Sequence, residues 1–274
     1  MPFAKSEYLE RIRRTKERMQ ARGIDTLLVV DPANMNYLTG YDGWSFYTPQ
    51  TIILGQELAE PICITRLMDA NGAKLTTFLD HANILGFPDH YVQSTERHPM
   101  DYIAGIVSDR GLGKGTIGLE MDAYYFSPAG YEALKRGLPN ARLVDSGQLV
   151  AWVRAVKSAV EITYMDQAAR IIEKTMQAAI DAIRPGVRQC DVVAKIYATQ
   201  IIGTAEYVRS DSGGEHTMSL RPGDKTVLQP NMTLHVIPGI WMDDWGIEMS
   251  ECIHITERGA RPFCTFPRKL FVRD

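Results

Sequence analysis

Short apolar runs closed off by glycine or proline recur through the first half of this chain, and they constrain the fold more than any other feature. GIDTLLVVDP (23–32) is one such run, held between a glycine and a proline. TIILGQ (51–56), PICITR (61–66) and GTIGLEMD (115–122) are others. Each has the length and continuity of a buried strand. Between and around them lie helical patterns. The first twenty residues form an amphipathic helix with Tyr8, Leu9, Ile12 and Met19 on one side. SPAGYEALKRGLP (127–139) reads as another, with Gly137 and Pro139 as stop signals, and ARLVDSG (141–147) closes the set. Strands and helices mixed at this spacing predict an α/β domain ending near residue 150.

A different texture follows. Ile162, Met165, Ala169, Ile172, Met176, Ala179, Ile180 and Ile183 recur three and four apart, predicting a long helix that Pro185 and Gly186 terminate. CDVVAKIYATQII (190–202) predicts a second, with Val193, Ile196, Tyr197 and Ile201 on one face. VRSDSGGE (208–215) is a loop. MTLHVIPG and the segment through His254–Thr256 are expected to be two strands joined by the WMDDWG turn.

Composition narrows the function. Apolar residues make up 45% of the 274 and charged residues 23%, as in a globular protein with a real core. A formal net charge of -3 and no long basic block point away from nucleic acid. No apolar stretch approaches the roughly 18 residues of a membrane span. The N-terminus has no apolar signal core, so a cytoplasmic location is expected. The four cysteines form no CxxC pair, and Cys252 and Cys264 are expected to be buried thiols.

Residues 231–251, NMTLHVIPGIWMDDWGIEMSE, gather His235, Asp243, Asp244, Glu248 and Glu251. This stretch could be a metal-binding cluster, a metal-free pocket or an acidic turn. On a strand His235 points away from Leu234's face, and Glu248 and Glu251, three apart, face opposite sides. Glu248 is expected to face solvent. Trp241 and Trp245 flank Asp243 and Asp244, an unusual setting for a solvated turn. Trp44, Phe46 and Tyr47 form an aromatic cluster suited to a planar cation. Arg66 could grip a substrate carboxylate bidentately.

Several stretches resemble the creatinase/prolidase/aminopeptidase P family of "pita-bread" hydrolases. GIDTLLVVDPANMNYLTGY (23–41) is similar to the opening of its N-terminal domain. VRAVKSAVEITYMDQAARIIEKTMQAAIDAIRPG (153–186) is similar to the linker and first long helix of its catalytic domain. DKTVLQPNMTLHVIPGI (224–240) and SECIHITERGA (250–260) resemble its terminal hairpin and final strand. YDGWSFYTPQ (41–50), RLMDANGA (66–73), EHTMSLRPGDKTVLQPNMT (215–233) and GIWMDDWG (239–246) look most like the ectoine hydrolase branch. The implied architecture is a creatinase-like α/β domain over residues 1–152 and a pita-bread catalytic domain over 153–274. The implied activity is hydrolysis of a non-peptide C–N bond, with ectoine opened to an N-acetylated diaminobutyrate.

Two departures accompany the resemblance. Where metal-dependent members carry a ligand Glu before Pro-Gly, this chain has Ile237, and at the last ligand position it has Ser250 beside Glu251. No cofactor and no metal are therefore expected. A divalent metal belongs only to the alternative reading, an Xaa-Pro metallopeptidase. The other departure is length. AEY (205–207) passes almost directly to SGGEHT (212–217), where the family has a long central segment. The catalytic domain is thus shortened, which predicts exposed strand edges and core. It also leaves open a third reading, a catalytically inactive member. The resemblance implies that His216 moves a proton and Glu251 stabilises the cationic amidine. Trp44, Phe46, Tyr47, Arg66, His235, Trp241, Asp243 and Trp245 are expected to line the substrate. A homodimer acting on a small molecule is the implied assembly.

Overall fold

A computed structural model describes residues 2–43, 47–203, 225–241, 246–269 and 271–272. The chain divides into two units, Met1–Arg154 and Ala155–Asp274. In the first, the elements in order are α1 (Lys5–Ala21), β1 (Thr26–Val29), α2 (Pro32–Thr39), β2 (Thr51–Gly55), β3 (Ile62–Arg66), α3 (Leu67–Thr76), β4 (Ile84–Phe87), α4 (Pro99–Asp109), β5 (Gly115–Leu119), α5 (Pro128–Gly137), β6 (Ala141–Asp145) and α6 (Leu149–Arg154).

Six strands form one mixed sheet in the order β4-β3-β2-β1-β5-β6. β1 pairs antiparallel with β2 and parallel with β5. Every residue of β1 and β2 is buried, so both faces of the sheet are covered. One face sets Leu27, Val29, Ile52, Leu54 and Cys63 against Met19, Met35, Leu38, Leu149 and Val153. The other sets Leu28, Ile53, Ile62 and Ile64 against Met100, Ile103, Val107 and Leu134. The alternation of inward residues along each strand thus feeds two cores, and the unit is a three-layer sandwich.

Local chemistry places the ends of these elements. α2 begins at Asp31, whose carboxylate accepts from the Ala33 and Asn34 amides, and it ends at Gly40 with φ 81°. α1 buries Tyr8, Ile12 and Met19, but Leu9 is 41% exposed. Leu9 follows Tyr8 by one position, a turn of about 100° that carries it out of the stripe.

The second unit contains α7 (Ala159–Ala182), α8 (Gln189–Gly203), β7 (Thr233–Val236), β8 (Gly239–Trp241), β9 (Gly246–Glu248), β10 (Glu251–Thr256) and β11 (Gly259–Pro262). α7 starts in a capping box of Ser158 and Glu161. The region expected to be two strands is four. β7 pairs with β10, and β8 pairs with β9 in a separate hairpin. Pro238, which cannot donate to a ladder, separates β7 from β8.

The face of the β11-β10-β7 sheet that bears His254 and Phe263 packs on Ile162 and Ala169 of α7. Arg261 and Asp166 join the same layers by two bonds of 2.9 Å. The expected exposure of a shortened domain is present. Ile172, Met176, Ile183, Val193, Tyr197, Ile237 and Ile247 are all exposed. Cys252, expected to be buried, is exposed, and Cys264 is half-buried. Cys252 lies opposite His235, itself exposed. Among the described residues no helix is long and apolar enough to cross a membrane.

Candidate functional site

In the second unit the β7–β10 register decides which candidates can meet. Glu251 stands opposite Val236, and Cys252 opposite His235. Directly opposed residues share a face, and neighbours along a strand do not. His235 and Glu251 therefore project to opposite faces of the sheet. His235 is exposed, and its Nε2 hydrogen-bonds the Ser250 hydroxyl. The Glu251 carboxylate is ion-paired with the Arg268 guanidinium. Glu248 ends β9, and Met249 and Ser250 separate it from β10, so the two glutamates do not share one regular strand. Trp241 closes β8. His216, Trp44, Phe46, Asp243 and Trp245 lie outside the described residues.

Nearby, His254 is buried, bonded through Nε2 to Asn231 Oδ1 at 3.1 Å and stacked on Phe263. Burial, with help from the Arg261 charge, pushes its pKa below the ordinary histidine value. It is a packed neutral imidazole. Strand alternation does not separate it from His235, which sits on the neighbouring strand and, opposite Cys252, on the same face.

In the first unit the structure brings Tyr47 and Arg66 together. Arg66 ends β3 and precedes α3, and its Nε donates to Asp89 Oδ1 at 2.8 Å. Asp89, then Tyr47, raise the pKa of the guanidinium, and Arg66 lowers that of Asp89. Tyr47 is 61% exposed. Asp89 was not among the residues singled out from sequence; it lies 23 positions beyond Arg66 and shares no local motif with it.

A second group missed by sequence reasoning sits at the carboxyl ends of the parallel strands β1 and β5. Glu120 follows β5 directly and is 2% exposed. Its Oε2 accepts from the Val30 and Asp31 amides at 2.7 and 2.8 Å, and its Oε1 from Asn34 Nδ2 at 2.7 Å. Asn34 Oδ1 in turn accepts from Arg154 at 3.0 Å. Burial pushes the Glu120 carboxyl up to about 7, against three N–H donors that favour the ionised form. Val30, whose amide donates to Glu120, also lines a shallow open crevice with Pro32, Thr48, Pro49, Gln50 and Tyr125, too narrow to hold a water molecule. The signal available in the sequence was an acid ending an otherwise apolar run, GTIGLE.

Two described positions of the hairpin bear on metal binding. Ile237 offers only an alkyl chain, and the Ser250 hydroxyl is engaged by His235. Hard cations need several convergent oxygens. Among the described residues no group of three or more His, Cys, Asp or Glu side chains is gathered to hold a metal.

Comparison with known proteins agrees with this architecture. The Creatinase/Prolidase N-terminal domain matches residues 11–156. An ectoine hydrolase from Halomonas elongata is 34% identical over 395 aligned positions, covering 100% of this chain and 99% of the relative. An uncharacterised hydrolase/peptidase from Sinorhizobium fredii is 45% identical over 205 residues, 75% of this chain but 52% of the relative, so the chain matches about half that protein's length. Among solved structures, dipeptidase PepE from Mycobacterium ulcerans superposes with a TM-score of 0.73 at 13% identity, covering 98% of each chain. An X-Pro aminopeptidase from Thermotoga maritima gives 0.71 at 17% identity, covering 96% of this chain and 99% of its own. At those identities the structures speak for the fold alone, which is the pita-bread α/β architecture. The chain belongs to the creatinase/prolidase family, a family of hydrolases.

The comparison with the Halomonas protein also bears on length. Its alignment has 395 positions and this chain 274 residues. More than a hundred positions of the relative have no counterpart here. Because both proteins are matched nearly end to end, those positions are internal.

Proposed function

We propose that the chain hydrolyses a non-peptide C–N bond in a cyclic amidine, with ectoine as substrate and an N-acetylated diaminobutyrate as product. The observation that carries this reading is the end-to-end match to an ectoine hydrolase. The chemistry of the hairpin supports it, since Ile237 and Ser250 stand where metal-dependent relatives would carry ligands. It also weighs against the rival reading, an Xaa-Pro metallopeptidase.

In the proposed reaction water adds to the amidine carbon, and the C–N bond to one ring nitrogen breaks as that nitrogen takes up a proton. The products are an amide and an amine. His216 moves the proton. Glu251 balances the positive charge of the amidinium, with Arg268 as the partner it exchanges for substrate. The aromatic faces of Trp44, Phe46 and Tyr47 suit a delocalised cation. Within the first unit Arg66 is suited to a substrate carboxylate; Asp89 holds it through Nε, and the terminal nitrogens are the pair that grips a carboxylate end-on. Trp241, Asp243 and Trp245 line the remainder, and His235, on the other face of the sheet from Glu251, stands outside this pocket. The enzyme acts in the cytoplasm as a homodimer.

Proton NMR of the protein incubated with ectoine tests the reading. Appearance of either isomer of the ring-opened N-acetyl product is expected. Intact ectoine after prolonged incubation with folded protein rejects it and favours a catalytically inactive member of the family.

A further inference from the structure

We propose that the uncovered apolar face of the second unit is a docking surface for a separate polypeptide, one carrying the internal positions that the Halomonas relative has and this chain lacks. Ile172 and Met176 lie four apart on α7, which places them on one face, and Ile183 is the residue that caps the helix. They are 47%, 45% and 51% exposed. On α8, which packs against α7, Val193 and Tyr197 are exposed four residues apart. Single exposed apolar residues are ordinary, but stripes on two packed helices make a face that favours being covered.

The sheet beside these helices is also open. Among the described strands β7 pairs with β10 alone; Val156 bridges Met232 just before it, and beyond that bridge the outer edge of Thr233–Val236 is open to an incoming strand.

The alignment says what the occupant is. The unmatched positions of the relative are internal and number more than a hundred. The first unit has no place for them, because its sheet is packed on both faces by its own helices. Among the described residues the buried apolar cluster of the second unit is Ile162, Ala169 and Phe263. A second copy of this chain lacks the same positions and is not the occupant that these observations specify. The proposal rests on family membership rather than on the choice of substrate, so its test reads binding and not turnover.

The test is to co-express the 274-residue chain with a polypeptide comprising the unmatched internal positions of the Halomonas elongata protein, and to weigh the product by native mass spectrometry. A one-to-one complex is expected, with amide exchange in α7 and α8 slowed at least tenfold. The double variant Ile172→Asp/Met176→Asp weakens the complex at least tenfold. Both side chains are exposed, so its helix content and the unfolding midpoint of the first unit stay unchanged. A chain that remains uncomplexed overturns the proposal. So does a chain that self-associates through Ile172 and Met176 in the presence of the polypeptide.

Discussion

Glu120 shows how one side chain can tie several elements together. Its two oxygens join the end of β5 to the start of α2 and, through Asn34, to Arg154 in α6. Glu120→Ala leaves buried donors without acceptors, and a loss of about 3 kcal/mol in urea unfolding is expected. The pH dependence has a definite sign. The folded-state pKa of about 7 lies above the ordinary 4.5, so the folded state binds the proton more tightly. The stability from this group is complete below about pH 4.5 and is lost as pH rises through 7. Relative to Glu120→Gln, the natural protein should therefore weaken between pH 5 and 8, read from unfolding midpoints across that range. His254 acts in the opposite direction. Its folded pKa is depressed, so the unfolded chain binds the proton more tightly and the second unit loses stability as pH falls below about 6.5. His254→Phe should flatten that acid limb. These two groups were not distinguishable in the sequence, because a buried acid and an exposed one are written with the same letter. Burial is a property of the strands and helices that close around them.

At the scale of elements, close approach rather than composition sets several positions. A Cβ on Gly137 would lie 2.5 Å from the Ala104 Cβ, where α5 crosses α4. Gly137→Ala forces the two helices apart, and a cost of about 1–3 kcal/mol is expected in thermal unfolding of the first unit. The sequence marked Gly137 only as a stop signal, since the neighbour it meets is 33 positions away. Legibility followed length and continuity. β1, β2, β3 and β5 were readable because their apolar runs are continuous and bounded by glycine or proline, and β6, broken by Arg142, was readable from Pro139 before it and Gly147 after it. β4 has only four residues, ILGF, and gives no period to count. The hairpin region was readable as strands but not as two separate pairs, because the break at Pro238 shows its effect only once the ladders are drawn. His235 and Glu251 were each visible as candidates. That they point to opposite faces depends on the β7–β10 register, which strand periodicity alone does not supply.

For the whole molecule, the two units differ in how much they bury. Among the described residues the first encloses two apolar cores on a six-stranded sheet, and the second encloses one small cluster beside exposed helices. Local opening follows from few buried contacts. Limited proteolysis should therefore cut first within residues 155–274 and leave a resistant fragment close to Met1–Arg154, identified by intact mass. Resistance of the second unit equal to that of the first would contradict this. The shortened second domain was legible from sequence because one motif follows another too soon, AEY before SGGEHT, and the exposed stripe on α7 is its physical consequence.

The central claim concerns chemistry. It is tested most directly by offering ectoine and the dipeptide Gly-Pro together to the protein, alone and with the completing polypeptide, and following both by proton NMR. Ring opening of ectoine to its N-acetyl product with the dipeptide left intact is the result predicted. Cleavage of Gly-Pro with ectoine untouched would contradict it and assign the chain to the peptidase side of its family.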